Sequence, residues 1–119
     1  MTHAPLSFYC ITLFPEIFRA LDYGICQRAK ANQCFDLICI NPRDFADNPR
    51  RDVDDKPYGG GPGMLMQAQP IHAAIEKAHD LSTTRCHVVA LSPQGPPLTQ
   101  AKVIQLCQHS HLTLVCGRY

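Results

Sequence analysis

The chain has 119 residues, a formal net charge of +1, 45% apolar residues and 18% charged residues. That length supports one domain with a real core and is too short for two ordinary ones, and the apolar share excludes a disordered chain. A net charge so close to zero also excludes a grip on nucleic acid through the whole-chain field, so such a partner needs a local basic patch.

The first expected element is a buried strand, LSFYCITL (Leu6–Leu13). The segment PEIFRALDYGICQRAKAN follows, with Pro15 at a first-turn position and Glu16 beside it, both favourable at a helix start. Gly24 divides this segment into two helical pieces. FDLICIN (Phe35–Asn41) reads as a second strand. Pro42–Gly63 is polar and broken by prolines and glycines, which predicts a loop; a loop of that length in a compact domain is more often functional than idle. Gln69–Asp80 carries Ile71, Ala74, Ile75 and Ala78 at helical spacing. CHVVALS (Cys86–Ser92) is a third strand. Leu98–His109 reads as a helix capped by Thr99, with Val103, Leu106 and Cys107 on one face. LTLVCG (Leu112–Gly117) is a fourth strand. The order predicts one α/β domain over residues 1–119, with a mainly parallel sheet and flanking helices. Two residues follow the last strand where such sheets usually place a covering helix, so a partner or further chain is expected to cover that face.

No apolar run approaches the roughly 18–20 residues of a membrane span. The amino-terminal stretch MTHAPLSFYCITLFPEIF has no basic start and carries Pro15 and Glu16, which argues against a signal peptide. Cysteines fall at 10, 26, 34, 39, 86, 107 and 116, an odd number with no CxxC pair, several inside apolar runs. They read as reduced core cysteines of a cytoplasmic protein. A zinc site from Cys107, His109 and His111 is the alternative, but no second ligand pair has zinc-like spacing, and no metal is expected.

Ligands in open α/β sheets bind beyond the carboxyl ends of parallel strands. SPQG (Ser92–Gly95) and CGRY (Cys116–Tyr119) leave two such ends. If their strands are neighbours the two loops make one crevice; otherwise they are ordinary strand-to-helix turns. The block DDKPYGGGPGMLM (Asp54–Met66) has no G-K-[ST] and no GxGxxG directly after a strand, and Asp52, Asp54 and Asp55 would repel phosphate. Bare glycine backbone beside carboxylates suits a flat hydrogen-bonding ring such as guanine, with a flexible surface loop as the alternative. Pro57 and Pro62 stiffen the block, and Met64, Leu65 and Met66 can anchor its end. Arg43, Arg50, Arg51 and Lys56 are interleaved with Asp44, Asp47 and the acids above. They form either a solvated mixed-charge loop or phosphate contacts beside a base-reading loop.

The motifs LFPEIF, PRDF, VDDKPYGGGPGMLM, LSPQG and LVCGRY, in this order and spacing, resemble the amino-terminal part of the bacterial tRNA (guanine-N1)-methyltransferases of the knotted SPOUT superfamily. The resemblance implies S-adenosylmethionine-dependent methylation of N1 of the guanine on the 3′ side of the anticodon in tRNA. It implies a homodimer with a shared active site and a deep trefoil knot. Carried over by motif, Leu91, Ser92, Pro93 and Gly95 would bind the cofactor, with Gly117 and Tyr119 opposite. Asp54, Tyr58, Gly59, Gly60, Gly61, Gly63 and Arg43 would place the guanine, Asp54 also supporting the chemistry. In the family the general base, the later knot strands and the tRNA-gripping domain follow CGRY. The chain is therefore expected to be an amino-terminal fragment, inactive alone and with an incomplete knot. The alternative is a non-catalytic nucleotide- or RNA-binding module, or a half-enzyme needing a second chain.

Overall fold

Four parallel strands form the centre of the domain, in the spatial order β2 (Phe35–Ile40), β1 (Leu6–Ile11), β6 (His111–Cys116) and β5 (His87–Leu91). The structure is a computed structural model and describes residues 5–50, 53–55, 65–82 and 84–117. Strand β1 (Leu6–Ile11) leads into a 3-10 helix at Pro15–Asp22 and then α1 (Gly24–Ala31), with β2 (Phe35–Ile40) following. Gly24, at φ +65°, makes the break between the two helical pieces that its position in the sequence predicts. A short 3-10 turn over Pro42–Phe45 leaves β2, started by the Asn41 side chain, which accepts from the Arg43 N–H at 3.0 Å.

The stretch expected as loop, Pro42–Gly63, holds more structure than that. Besides the turn, β3 (Asp54–Asp55) pairs antiparallel with β4 (Leu65–Met66), so the glycine-rich block leaves from and returns to a two-residue ladder. Val53, fully buried, anchors this ladder, and its carbonyl accepts from the Gln67 N–H at 2.6 Å just before α2 (Ala68–Leu81). Strand β5 (His87–Leu91), α3 (Gln100–Leu106) and β6 (His111–Cys116) complete the described chain. Thr99 caps α3 as expected, its hydroxyl accepting from the Lys102 N–H.

Side chains alternate between the two faces of each strand, so the register defines the faces. One face presents Tyr9, Ile11, Ile40 and Val115, and α2 packs on it through Ala74 and Ala78. Those two alanines are fully buried and sit one helical turn apart. Their small side chains let the helix lie close against the sheet. The other face carries Phe8, Cys10, Leu37, Cys39, Leu112, Leu114 and Val89, in register across the four strands. Phe8 and Phe35 meet edge to face on it, with ring centres 6.0 Å apart. Most of these residues are only half-buried, so the two faces are covered unequally. Pairing of β1 with β2 brings Cys34, at the head of β2, to bond backward: its N–H reaches the Ala29 carbonyl at 2.8 Å, and the Gln33 N–H reaches that of Lys30 at 3.0 Å. This is a Schellman closure of α1 with Gln33 in the left-handed conformation, at φ 61°.

Two stability predictions follow from this geometry. Gln33→Gly removes the Cβ penalty of the left-handed position and is expected to raise stability by about 1 kcal/mol in urea unfolding. Thr113 on β6 is fully buried, and its hydroxyl has no hydrogen-bond partner among the described residues. Thr113→Val is expected to stabilise by about 1 kcal/mol in the same experiment, and a loss of that size would reveal a partner for the hydroxyl.

Candidate functional site

At the carboxyl end of β5 the chain makes a tight turn. The Ser92 carbonyl accepts from the Gly95 N–H at 3.1 Å, and the Ser92 hydroxyl accepts from the Gln94 N–H at 3.1 Å. Pro93 occupies the second turn position, where its fixed φ is already correct. Pro96, Pro97 and Leu98 then carry the chain to α3. Strands β5 and β6 are neighbours, and the register sets Leu91 opposite Cys116. The Ser92–Gly95 turn and Gly117 therefore leave the sheet side by side, one strand spacing of about 4.8 Å apart.

A pocket of about 1010 Å³ opens beneath this turn, between α3 and the less covered sheet face. Leu91, Ser92, Pro93 and Gly95 form its rim, Val103 and Leu106 of α3 one wall, and Phe8, Leu112 and Leu114 its floor. Its volume sits at the upper end of the range for small-molecule sites, about 300–1,000 Å³. Lys102 is the one charged side chain among the lining residues. A Cβ built on Gly117 would meet nothing within 4 Å among the described residues, so this glycine leaves space beside the strand end there. Such a site suits a ligand with an apolar or flat body whose polar edge is met by main-chain groups of a fixed turn.

Three thiols line up near this edge on the same face: Cys39 of β2, Cys10 of β1 directly opposite it, and Cys116 of β6. Burial pushes the Cys10 thiol up to about 12, with Cys39 and Cys116 adding to the effect. Burial also raises Cys116, and it raises Cys39 against the opposing pull of Lys30. Thiols held above their ordinary range are mostly protonated near neutral pH, which fits a packing role for these three.

Of the residues singled out from the sequence, Leu91, Ser92, Pro93 and Gly95 share the pocket rim, and Gly117 lies at the adjacent strand end. Arg43 stands at the carboxyl end of β2, on the same edge of the sheet but three strands from β5. The backbone of Asp54 pairs with Met66; its side chain lies outside what the structure describes. Tyr58, Gly59, Gly60, Gly61, Gly63 and Tyr119 also lie outside the described residues. The sequence reading missed Lys102, Leu98 and the Phe8–Leu114 floor. The doubled proline after SPQG was a signal for a stiff connection lifting the next helix off the sheet. All seven cysteines are free, with Cys34 and Cys107 exposed, so the expectation of a wholly core role holds for Cys10 and Cys86 and fails for those two. Cys34 lies in the turn before β2 and Cys107 just past α3, both at exposed positions.

A parallel α/β domain with a pocket at the carboxyl edge of its strands belongs to the broad class that binds small ligands through strand-end turns. Within that class the chain belongs to the tRNA (guanine-1)-methyltransferase TrmD family, whose model matches residues 6–119. It is 52% identical over 116 residues to a tRNA (guanine-N(1)-)-methyltransferase of Ralstonia nicotianae, covering 96% of this chain and 44% of that protein. A protein of the same name from Neisseria meningitidis serogroup B is 48% identical over 110 residues, covering 92% of this chain and 44% of its own length. The crystal structure of tRNA (m1G37) methyltransferase from Aquifex aeolicus superposes with a TM-score of 0.86 at 34% identity, over 96% of this chain and 51% of that one. The chain thus spans about half the length of the relatives it matches.

The thiol environments predict an order of chemical labelling. With iodoacetamide at neutral pH, Cys34 and Cys107 are expected to react first in the native protein. Cys10 should lag by about three orders of magnitude or more, from its smaller thiolate fraction and its burial. Mass spectrometry of tryptic peptides reads the order, and equal rates at Cys10 and Cys34 would contradict it.

Proposed function

We propose that this chain supplies the amino-terminal half of an S-adenosylmethionine-dependent tRNA guanine-N1 methyltransferase that works in the cytoplasm as a homodimer, its residues 1–119 forming part of a trefoil-knotted catalytic domain. The observation that carries the reading is the juxtaposition of the Ser92–Gly95 turn with Gly117 across the β5–β6 pair, over a pocket lined by the turn itself. Family membership and the names of the relatives support it.

The pocket residues fit the cofactor in chemical type. Leu91, Leu98 and Val103 offer apolar surface to a flat adenine, and the Ser92–Gly95 turn offers backbone groups to its polar edge. Gly117 leaves room for close approach. S-adenosylmethionine, when bound, supplies a methyl group on a sulfonium. The task left to the protein is to align acceptor and donor and to keep water out. N1 of guanine carries a proton at neutral pH and is a poor nucleophile until a carboxylate removes it. Asp54, Tyr58 and the glycines Gly59, Gly60, Gly61 and Gly63 are proposed to hold the guanine face and its N–H edge, with Asp54 in a supporting role and Tyr119 closing the cofactor site. Arg43, at the same edge of the sheet, is proposed to meet the tRNA backbone. An anticodon-loop base is easier to unstack into such a slot than a base in a duplex.

The chain alone, given undermethylated tRNA and labelled S-adenosylmethionine, is expected to transfer no methyl group. Transfer should appear when a polypeptide carrying the remaining half of a relative is added. Turnover by the chain alone at the rate of an intact enzyme would overturn the half-enzyme reading. S-adenosylhomocysteine is expected to bind weakly and saturably to the chain, and Leu91→Asp, at an exposed rim position, should weaken it at least tenfold (about 1.4 kcal/mol). No binding by calorimetry in either the chain or the reassembled protein would overturn the methyltransferase reading.

A further inference from the structure

At the opposite end of the sheet, where the strands begin, a second recess of about 470 Å³ collects cationic and imidazole groups. It is lined by His79 from the last turn of α2, Arg85 two residues before β5, His87 at the first position of β5, and His109 from the turn before β6. The His87 and His109 rings stack face to face, 4.1 Å apart and within 5° of parallel. His79 accepts the Cys86 N–H at Nδ1, 3.3 Å away, which leaves its Nε2 side with no hydrogen-bond partner among the described residues. Arg85 is exposed and, among the described residues, makes no ion pair or hydrogen bond. No carboxylate lines the recess; Lys77 and Asp80 of α2 are near in sequence but lie outside the lining.

A recess lined by a guanidinium and three imidazoles, with no carboxylate among them, favours an acceptor-rich ligand. The guanidinium offers a planar fork suited to paired oxygens, and two imidazole edges and the His79 Nε2 side point the same way chemically. Metal chelation does not match: among the described residues no three ligating side chains converge. We propose that this recess is a binding site for a phosphate-type oxyanion, either a free phosphate or the phosphodiester of a nucleic-acid strand. The recess shares His87 and Val88 with the larger pocket, but Arg85, His79 and His109 line the recess alone, at the strand starts and away from the Ser92–Gly95 turn, so the proposal does not rest on the methyl-transfer reading.

The test is a titration of the full chain with inorganic phosphate, followed by backbone amide NMR, with sodium chloride at matched ionic strength as the blank. Saturable shifts are expected at Cys86, His87 and His109. Arg85→Gln should weaken phosphate at least tenfold, the loss of one charge-assisted contact, while Arg28→Gln on the exposed side of α1 should leave it unchanged. His87→Asn gives a second, independent reduction at an exposed position. A short single-stranded RNA forms the second arm. RNA binding lost with Arg85→Gln assigns the site to a phosphodiester, and phosphate binding without RNA binding assigns it to a free oxyanion. Absence of saturable shifts with both probes, or equal weakening by Arg85→Gln and Arg28→Gln, overturns the proposal.

Discussion

The pairing of β6 with strands on both of its sides is the constraint on which the rest of the domain depends. Strand β5 touches the sheet only through β6, and β1 links β6 to β2. Each parallel pair is joined by long-range hydrogen bonds whose formation must offset the entropy of closing a long loop. Thr113 and Leu112 of β6 are buried, the first from the α2 side and the second from the other. The register that results, Leu91 against Cys116 and His87 against Leu112, fixes both sheet edges at once. A slip of one residue would turn Leu112 and Leu114 to the wrong face and separate Gly117 from the Ser92–Gly95 turn.

The unequal covering of the two faces explains where a ligand can enter. Against α2 the packing is tight because Ala74 and Ala78 bring helix and sheet together, closing over Tyr9 and Ile11. On the other face α3 is short and reached through Pro96 and Pro97, and a gap large enough for a small molecule remains between helix and strands. Apolar area exposed in that gap costs about 25 cal/mol per Å² until something fills it. The same face carries the thiols of Cys10, Cys39 and Cys116, each pushed up by burial, in keeping with its apolar residue types.

Much of this was legible in the sequence because buried parallel strands read as unbroken apolar runs. LSFYCI, FDLICI, HVVAL and HLTLVC are all strands, within a residue or two of the expected ends. The SPQG turn was legible from turn chemistry, and Gly24 and Thr99 act as a break and a cap for local reasons. Strand order was not legible, since nothing local in β6 says that it lies between β1 and β5. Two-residue strands such as Asp54–Asp55 and Leu65–Met66 show no period to detect, which is why Pro42–Gly63 read as plain loop. The pocket floor was hidden for a similar reason: Phe8 and Leu114 look like any core residues until the distance of α3 from the sheet is known. His87 and His109 are far apart in sequence and stack only because β5 and β6 start together.

The two edges of the sheet divide the chemistry between them. At the carboxyl edge the groups near the pocket are mainly apolar side chains and the main chain of a fixed turn, with Lys102 as the lone charge in the lining. A ligand bound there would be held by shape and by hydrogen bonds set by backbone geometry, which salt hardly screens. At the amino edge Arg85 and the imidazoles lie in an open, polar recess, where attraction is electrostatic and weakens as salt rises. Parallel strands place these two environments at opposite ends of the same rods, roughly five residues or about 16 Å apart along β5. A nucleic acid that reached both would have to span that distance along one side of the sheet, and β5, the exposed edge strand with Val88 and Leu91 open to solvent, is the side that offers the path.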